Sequence, residues 1–335
     1  MRLAATVLVA VGVVIGAAAV RAEAPPTAGI SDDLANKIKG LNDDLLKKVK
    51  DALPEKAAVA PAKPRRLLVY SRANGFYHGT IPLGAKMLEL MGEKTGAFTA
   101  VIADDPAMIA PEQLQGFDAI FMNNTSGNCF MLKGAKEAVA KDMAEMPAPE
   151  PGTQRVVLWT VAQAMEKAAQ QALLDFVKGG KGLGGNHAAT DCYYGWKEYG
   201  EMIGAYFAGH PYGRIHVRND DPASPVNAAF GGQGFPFSDE IYVFKDPYSR
   251  QRLRVLLSID NEKSGIDPAK GRRQDGDYAL SWIQSYGQGR VFYCAFGHQT
   301  HVFHTPTILR HFLDGIQFIL GDLKADITPS AKAGK

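Results

Sequence analysis

Apolar and polar positions alternate along much of this chain in blocks that have the lengths of strands and helices. A continuous apolar run at residues 67–70 is typical of a strand covered on both faces, and a helical pattern follows it. Further strand-like runs occur at residues 98–103, 118–122 and 181–185, the last after a helical pattern at 162–178. Such alternation forms βαβ units. The pattern therefore predicts an α/β fold whose sheet is mostly parallel and has helices on both faces.

The second half of the chain is less regular. A helical pattern at residues 194–207 precedes shorter strand-like runs, and the strongest later strand is predicted at 290–296. A helix at residues 305–320, with proline in its first turn, closes the pattern. We place the main domain at residues 65–323 and expect the polar tail, residues 324–335, to fray.

The N-terminus has the pattern that is typical of a targeting signal. Arg2 precedes an apolar run at residues 3–20, and small residues then occupy the positions that a signal peptidase recognises. We predict a signal peptide over residues 1–22 and export to the periplasm or the outside of the cell, with membrane contact only through this transient segment. A retained signal anchor is the alternative reading.

Residues 23–64 differ from the main domain in composition. Apolar residues recur at helical spacing over residues 31–53, with Ser31 as the N-cap and Gly40 as a weak point, and a Pro/Ala linker follows at 54–64. We expect one amphipathic helix that packs either on the domain or on a partner.

Composition excludes several functional classes. The chain has 335 residues, of which 46% are hydrophobic and 21% charged, and its net charge of +2 comes without the basic stripe that nucleic-acid binding requires. A dinucleotide fingerprint, a phosphate-binding GxxxxGK[ST] loop and a GxSxG nucleophile turn are all missing, so we predict no nucleotide cofactor. Cys129, Cys192 and Cys294 include no CxxC pair, which excludes a cysteine-rich zinc site; they fit as apolar fillers, and a disulfide between two of them stays open.

Candidate chemistry is concentrated at strand ends. His187 follows the glycine-rich strand that ends near residue 185, and Asp191 comes four residues later. His78 follows the first strand and His298 follows the strand at 290–296. Because ligands bind at the carboxyl edge of parallel sheets, we expect these three histidines to share a pocket.

Other polar and aromatic residues are candidates for the same pocket. His210 follows the helical pattern at 194–207, and Glu240 stands in an acidic pair before a strand, where it could ligate a metal, act as a base or bind sugar hydroxyls. His298 also begins an HxxHxxH run, which does not have the HExxH spacing of a zinc protease. Tyr77 and Trp282 lie near these loops, and aromatic rings beside such groups are typical of sugar pockets.

Six segments along the chain form a recognisable series: GFYH (75–78), NNTSG (123–127), GGNHAATD (184–191), GAYFAGHP (204–211), DEIYVF (239–244), and GRVFY with GH (289–293 and 297–298). Taken in this order, the segments resemble those of the ThuA-like (trehalose utilisation) family over roughly residues 65–323. The resemblance implies a flavodoxin-like fold similar to class I glutamine amidotransferases. In those enzymes a cysteine nucleophile follows a strand, but here the Asn186–His187 turn stands at that place, so amidotransferase activity is not expected.

The resemblance also implies a role in carbohydrate catabolism, with a small carbohydrate, such as a keto-glycoside, as ligand. We predict an enzyme that uses acid/base or metal-assisted chemistry; a sugar-binding module without catalytic activity is the alternative. The candidate catalytic residues are His187, Asp191, Glu240 and His298. The candidate ligands for a divalent metal are His78, His187, His210, Glu240 and His298. The candidate substrate contacts are Tyr77, His78, Asn124, Thr125 and Trp282.

Overall fold

The computed structural model of the protein describes residues 29–131 and 155–331. The predicted signal peptide at residues 1–22 and a proline-rich loop predicted at 146–153 lie outside the described residues. Parts of the predicted 23–64 segment and of the 324–335 tail also lie outside them.

Nine strands and seven α-helices make up this part of the chain. The strands are β1 (Arg66–Tyr70), β2 (Thr99–Ala103), β3 (Ala119–Asn123), β4 (Gly182–Asn186), β5 (Tyr206–Asn219), β6 (Phe235–Lys245), β7 (Arg254–Ile259), β8 (Ala279–Tyr286) and β9 (Gly289–Cys294). The helices are α1 (Asp32–Lys39), α2 (Asp43–Ala52), α3 (Ile81–Thr95), α4 (Pro111–Leu114), α5 (Arg155–Lys178), α6 (Lys197–Ile203) and α7 (Pro306–Leu320). Within the described ranges, no helix has both the length and the apolar character needed to cross a membrane.

The nine strands form a single mixed sheet in the order β2-β1-β3-β4-β9-β8-β7-β5-β6. The strands from β2 to β9 in this order pair in parallel, whereas β9-β8, β8-β7, β7-β5 and β5-β6 are antiparallel. The α/β class is confirmed, but the expectation of a mostly parallel sheet is wrong. Parallel neighbours need a crossover connection of a dozen or more residues, usually a helix, whereas two residues join β8 to β9.

Helices cover both faces of the sheet around β4. A side chain at Gly184 would contact Ile319 of α7, whereas one at Gly185 would approach Ile203 of α6. Successive strand residues point to opposite faces, so α7 and α6 lie on opposite sides. The glycines of β4 also let α7 approach closely, because an added Cβ at Gly182 would stand 2.3 Å from the carbonyl oxygen of Ile319.

The N-terminal segment contains two helices instead of the single predicted one. Ser31 is the N-cap of α1, as expected, but α1 ends at Gly40 and Asn42 begins α2, where its side chain accepts the Leu45 N–H at 3.0 Å. A second N-cap competes with helix continuation because it satisfies a backbone donor that the helix would otherwise leave free. Leu34 of α1 and Val49 of α2 are buried on the body of the protein.

All three cysteines are buried with free thiols, as expected of apolar fillers. Each packs in the hydrophobic core, so the disulfide that the sequence left open is not formed in this structure.

We expect Gly182→Ala to lower the free energy of unfolding by about 1–3 kcal/mol, because the new methyl group collides with the backbone of α7. Urea unfolding of the purified protein measures this change. Gly195→Ala is the matched control, since nothing lies within 4 Å of its added Cβ. Equal urea midpoints for the two variants would contradict the close β4–α7 packing.

Candidate metal centre

Four side chains converge at the carboxyl edge of the parallel strands. His78, His187, Glu240 and His298, hereafter the histidine–glutamate cluster, each place one nitrogen or oxygen so that these atoms all lie within 4.8 Å of one another. The imidazole centroids are separated by 4.8 Å between His78 and His187, 5.3 Å between His78 and His298, and 5.4 Å between His187 and His298.

The parallel half of the sheet supplies the three histidines. His78 lies in the loop between β1 and α3, His187 immediately follows β4, and His298 lies in the turn after β9. These strands run in the same direction, so their carboxyl ends lie along one edge. The three histidines therefore lie together at one edge of the sheet, as the sequence predicts.

The antiparallel half supplies Glu240 from β6. Three register irregularities interrupt the β5–β6 pair, and such bulges bend strands. The pair reaches back to the end of β4, where the ring of Tyr242 lies 4.0 Å from that of His187, centroid to centroid. The Glu240 Oε2 atom lies 3.1 Å from Nδ1 of His298 and 3.3 Å from Nε2 of His187.

The backbone and one hydrogen bond fix the orientation of His187. Its φ of 44° lies in the left-handed region, which costs a non-glycine residue energy and persists only where the surrounding structure enforces it. Its Nδ1–H donates to the carbonyl of Ala295 at 2.9 Å, so the lone pair of Nε2 faces the other members of the cluster. Metal-ligating histidines commonly make this kind of hydrogen bond through the second nitrogen.

Three nitrogens of the cluster are buried and make no hydrogen bond of good geometry with the described residues, although the Glu240 carboxylate lies close to two of them. They are Nδ1 of His78, Nε2 of His187 and Nδ1 of His298. A buried polar atom without a partner costs about 1–3 kcal/mol, so three in one place point to a ligand that satisfies them together.

Electrostatics at the cluster favour a neutral His78 and an ionised Glu240. Burial, together with the nearby His187 and His298, lowers the pKa of His78 to about 3. Burial opposes ionisation of Glu240, but the imidazoles of His187, His298 and His210 outweigh it and lower the pKa of its carboxyl. Metal ions bind the deprotonated forms of both residue types.

The donor set suits a divalent transition metal. Three imidazole nitrogens and one carboxylate oxygen are ligands that zinc, iron, copper, nickel or manganese accept, whereas calcium and magnesium prefer oxygen ligands. The predicted ligands His78, His187, Glu240 and His298 therefore fit together as one candidate centre.

A hydrogen-bond network around Gly297 joins the three histidine loops. The Gly297 carbonyl accepts from Thr80 Oγ1 at 2.8 Å and from Asn124 Nδ2 at 3.0 Å, while Oδ1 of Asn124 accepts from the Ala188 N–H at 3.3 Å. Thr80 follows His78 by two residues and Ala188 follows His187 directly. A side chain at Gly297 would stand 2.3 Å from Nδ2 of Asn186, so only glycine fits there.

His210 and Asp191 lie outside the cluster. His210 is in β5 rather than after a helix, and its half-exposed ring places Nδ1 3.5 Å from Oε1 of Glu240, on the solvent side. The Asp191 carboxylate accepts a hydrogen bond from the hydroxyl of Tyr194. Burial raises the pKa of Asp191 even though Tyr194 opposes the shift.

The predicted substrate contacts other than His78 divide into one accessible residue and three buried ones. Tyr77 is partly exposed and lies against Lys37 of α1. Asn124 and Thr125 are buried, and Asn124 takes part in the Gly297 network. Trp282 has no exposed surface; it stacks on Tyr293 and donates to the Ile203 carbonyl, so the structure does not bring it to the cluster.

Three further residues lie around the cluster. The sequence pattern offers Phe76, beside Tyr77, and Asp239, in the acidic pair with Glu240, but not Tyr242. Phe76 is 65% exposed, and its ring lies edge-on to His78 with centroids 4.8 Å apart. The ring of Tyr242 lies tilted against that of His187, and the Asp239 carboxylate accepts hydrogen bonds from the turn that carries His298. The GFYH and DEIYVF segments contain all three, but strand periodicity alone does not show that β6 crosses the end of β4.

The fold and the histidine–glutamate cluster together define an α/β protein with a candidate metal centre at the carboxyl ends of its parallel strands. The ThuA family model, described as trehalose utilisation, matches residues 151–319, half of the chain, and this chain belongs to that family. Membership supports a carbohydrate-related role. No curated protein matches the chain.

The solved structures that are similar to this one include two ThuA-like proteins. A ThuA-like protein from Bacteroides uniformis is 20% identical with a TM-score of 0.56, and the match covers 82% of this chain and 99% of that one. A ThuA-like protein from Parabacteroides merdae is 12% identical with a TM-score of 0.49, and the match covers 79% of this chain and 93% of that one. The first of these likenesses supports the fold.

We expect the purified protein to bind one equivalent of a divalent transition metal such as Zn²⁺, and His187→Ala and Glu240→Gln to bind much less. At a free metal concentration about 100 times the dissociation constant, binding stabilises the native state by about 2.7 kcal/mol, which chelation removes. Elemental analysis and thermal unfolding with and without chelator measure both effects.

His304→Ala is the matched control, because His304 belongs to the HxxHxxH run but not to the histidine–glutamate cluster. Its metal content should equal that of the unmodified protein. A protein that unfolds identically with Zn²⁺ and with chelator would contradict the candidate centre.

Proposed function

We propose that this protein is an exported, metal-dependent enzyme of carbohydrate catabolism that acts on keto-glycosides. The histidine–glutamate cluster is the observation that carries the proposal, because it gathers three buried imidazole nitrogens and a carboxylate at the edge of the sheet where ligands bind. The ThuA family description supports a sugar as ligand. The signal peptide predicted at residues 1–22 supports export.

The chemistry follows from the ketone of the substrate. A divalent metal, when bound, supplies a Lewis acid that polarises the carbonyl oxygen. A keto group at sugar carbon 3 acidifies the hydrogen on carbon 2. A base that removes this proton leaves an enolate, which can expel the oxygen substituent on carbon 1 once that oxygen is protonated.

Two residues outside the cluster are candidates to move these protons. If His78, His187, Glu240 and His298 hold a metal, their lone pairs are occupied, and the role of base passes from them to a neighbour. His210 is half-exposed beside Glu240, and Asp191 follows His187 by four residues. We assign proton transfer to His210 and Asp191, and binding of the metal to the cluster.

We expect the purified metal-loaded protein to cleave or rearrange a 3-keto-disaccharide such as 3-keto-trehalose, and chelator to abolish the reaction. His187→Ala should lower the rate at least about 100-fold, because the metal site loses a ligand, whereas His304→Ala should keep full activity. Product analysis by NMR measures turnover. No turnover across a panel of keto-glycosides would overturn the proposal, and tight sugar binding without turnover would favour the non-catalytic sugar-binding module.

We expect Phe76→Ala to raise KM about 10-fold with little change in kcat. The exposed ring beside His78 offers a flat apolar surface to a sugar ring, and its loss removes on the order of 1 kcal/mol of binding. Phe76→Tyr, which keeps the ring, is the matched control. Steady-state kinetics on the same keto-disaccharide measure the effect, and an unchanged KM in Phe76→Ala would exclude this contact.

A further inference from the structure

Asp239 is a buried carboxylate that makes no contact with the ligand-forming atoms of the cluster, yet it hydrogen-bonds one of the loops that supply them. Its side chain is 3% exposed. Its Oδ2 atom accepts the N–H of Gly297 at 2.8 Å and that of His298 at 3.3 Å, and its Oδ1 atom accepts the N–H of Gln299 at 2.8 Å. Three successive backbone donors therefore end on one carboxylate.

Asp239 and Glu240 act on the same turn in different ways. They are consecutive residues of β6, so their side chains leave the strand on opposite sides. Glu240 meets the imidazole of His298 at Nδ1, whereas Asp239 meets the backbone of the Gly297–Gln299 turn. The dipeptide thus supplies one member of the cluster and fixes the backbone that carries another.

The three backbone N–H groups of the Gly297–Gln299 turn need a buried acceptor such as the Asp239 carboxylate. The Gly297 carbonyl is already occupied by Thr80 and Asn124, and the chain at Gly297 has no space for a side chain. Without Asp239, the three N–H groups would be left unpaired in a mostly buried place, and the turn would move to satisfy them. Movement of the turn rotates the His298 imidazole away from the other donors.

We propose that Asp239 is a positioning residue of the metal centre, which holds the Gly297–Gln299 turn so that Nδ1 of His298 points at the site shared with His78, His187 and Glu240. The inference rests on the proposed metal centre. It assigns to Asp239 no contact with the metal or the substrate.

The test uses Co²⁺, whose absorption spectrum reports the number and geometry of its ligands. The purified full chain, stripped of metal, is titrated with Co²⁺ alone, and affinity and spectrum are recorded for the unmodified protein, Asp239→Ala, Asp239→Asn and His298→Ala. Supporting groups of this kind typically contribute 10- to 100-fold to metal affinity. We expect Asp239→Ala to bind Co²⁺ about 10- to 100-fold more weakly, with a spectrum shifted toward that of His298→Ala.

Asp239→Asn is expected to have an intermediate effect. It also keeps the test decisive if Asp239→Ala does not fold. The amide oxygen can still accept the N–H groups of Gly297 and His298, but the amide nitrogen cannot accept that of Gln299. We therefore expect a smaller loss of affinity and a smaller spectral shift than in Asp239→Ala.

Asp221→Asn is the matched control for general destabilisation. Asp221 is a buried carboxylate that pairs with Arg254 at 2.7 Å. It follows the C-terminal end of β5, whereas His210 lies near the start of that strand. The Asp221→Asn variant should have a lower thermal stability than the unmodified protein but the same Co²⁺ spectrum.

The outcomes separate this inference from the proposed function. Failure of the unmodified protein to bind Co²⁺, Zn²⁺ or another transition metal would overturn both. Metal binding by the unmodified protein, with the same spectrum in both Asp239 variants, would overturn only the positioning role. Weaker binding with an unchanged spectrum would do the same, because loss of negative charge alone lowers affinity without moving a ligand.

Discussion

The geometry of this site depends on the hydrogen bonds that meet at Gly297. The Gly297 N–H donates to Asp239, and the Gly297 carbonyl accepts from Thr80 and Asn124. The backbone of this one glycine therefore connects the turns after β1, β3 and β9. Asn124 extends the connection to the turn after β4 through the Ala188 N–H. Each histidine of the cluster therefore lies on or beside a turn that hydrogen bonds to the other turns hold in place. Restraints of this kind keep several metal ligands oriented toward one position.

The residues of the site come from both the parallel and the antiparallel half of the mixed sheet. The parallel strands bring histidines together because their carboxyl ends coincide, and this arrangement needs only short loops. The carboxylate comes from the antiparallel half, whose irregular β5–β6 pair bends until β6 reaches the end of β4. Neither half contains the whole donor set, so the site exists only where the two halves pack together.

Sequence patterns predicted the parts of the molecule that local rules determine. The strands β1 to β4, the N-cap at Ser31 and the common edge of His78, His187 and His298 follow from periodicity, capping and strand direction. Strand-like runs also indicated β5, β6 and β7, but their antiparallel pairing escaped prediction, because pairing and bulges are set by contacts between distant residues. Trp282 failed as a pocket residue for a related reason: nearness to a loop in sequence does not reveal that the side chain faces the core.

The division of the site between the two halves has a further consequence for how the chain holds together. The three thiols are free, so no covalent bridge closes a long loop in this chain. A cation bound by His78 and Glu240 would connect residues that are separated by nearly half of the sequence, and closing so long a loop removes much of the freedom of the unfolded chain. Such an ion would act as a reversible cross-link, and its loss would return that freedom to the unfolded chain and so lower the stability of the fold.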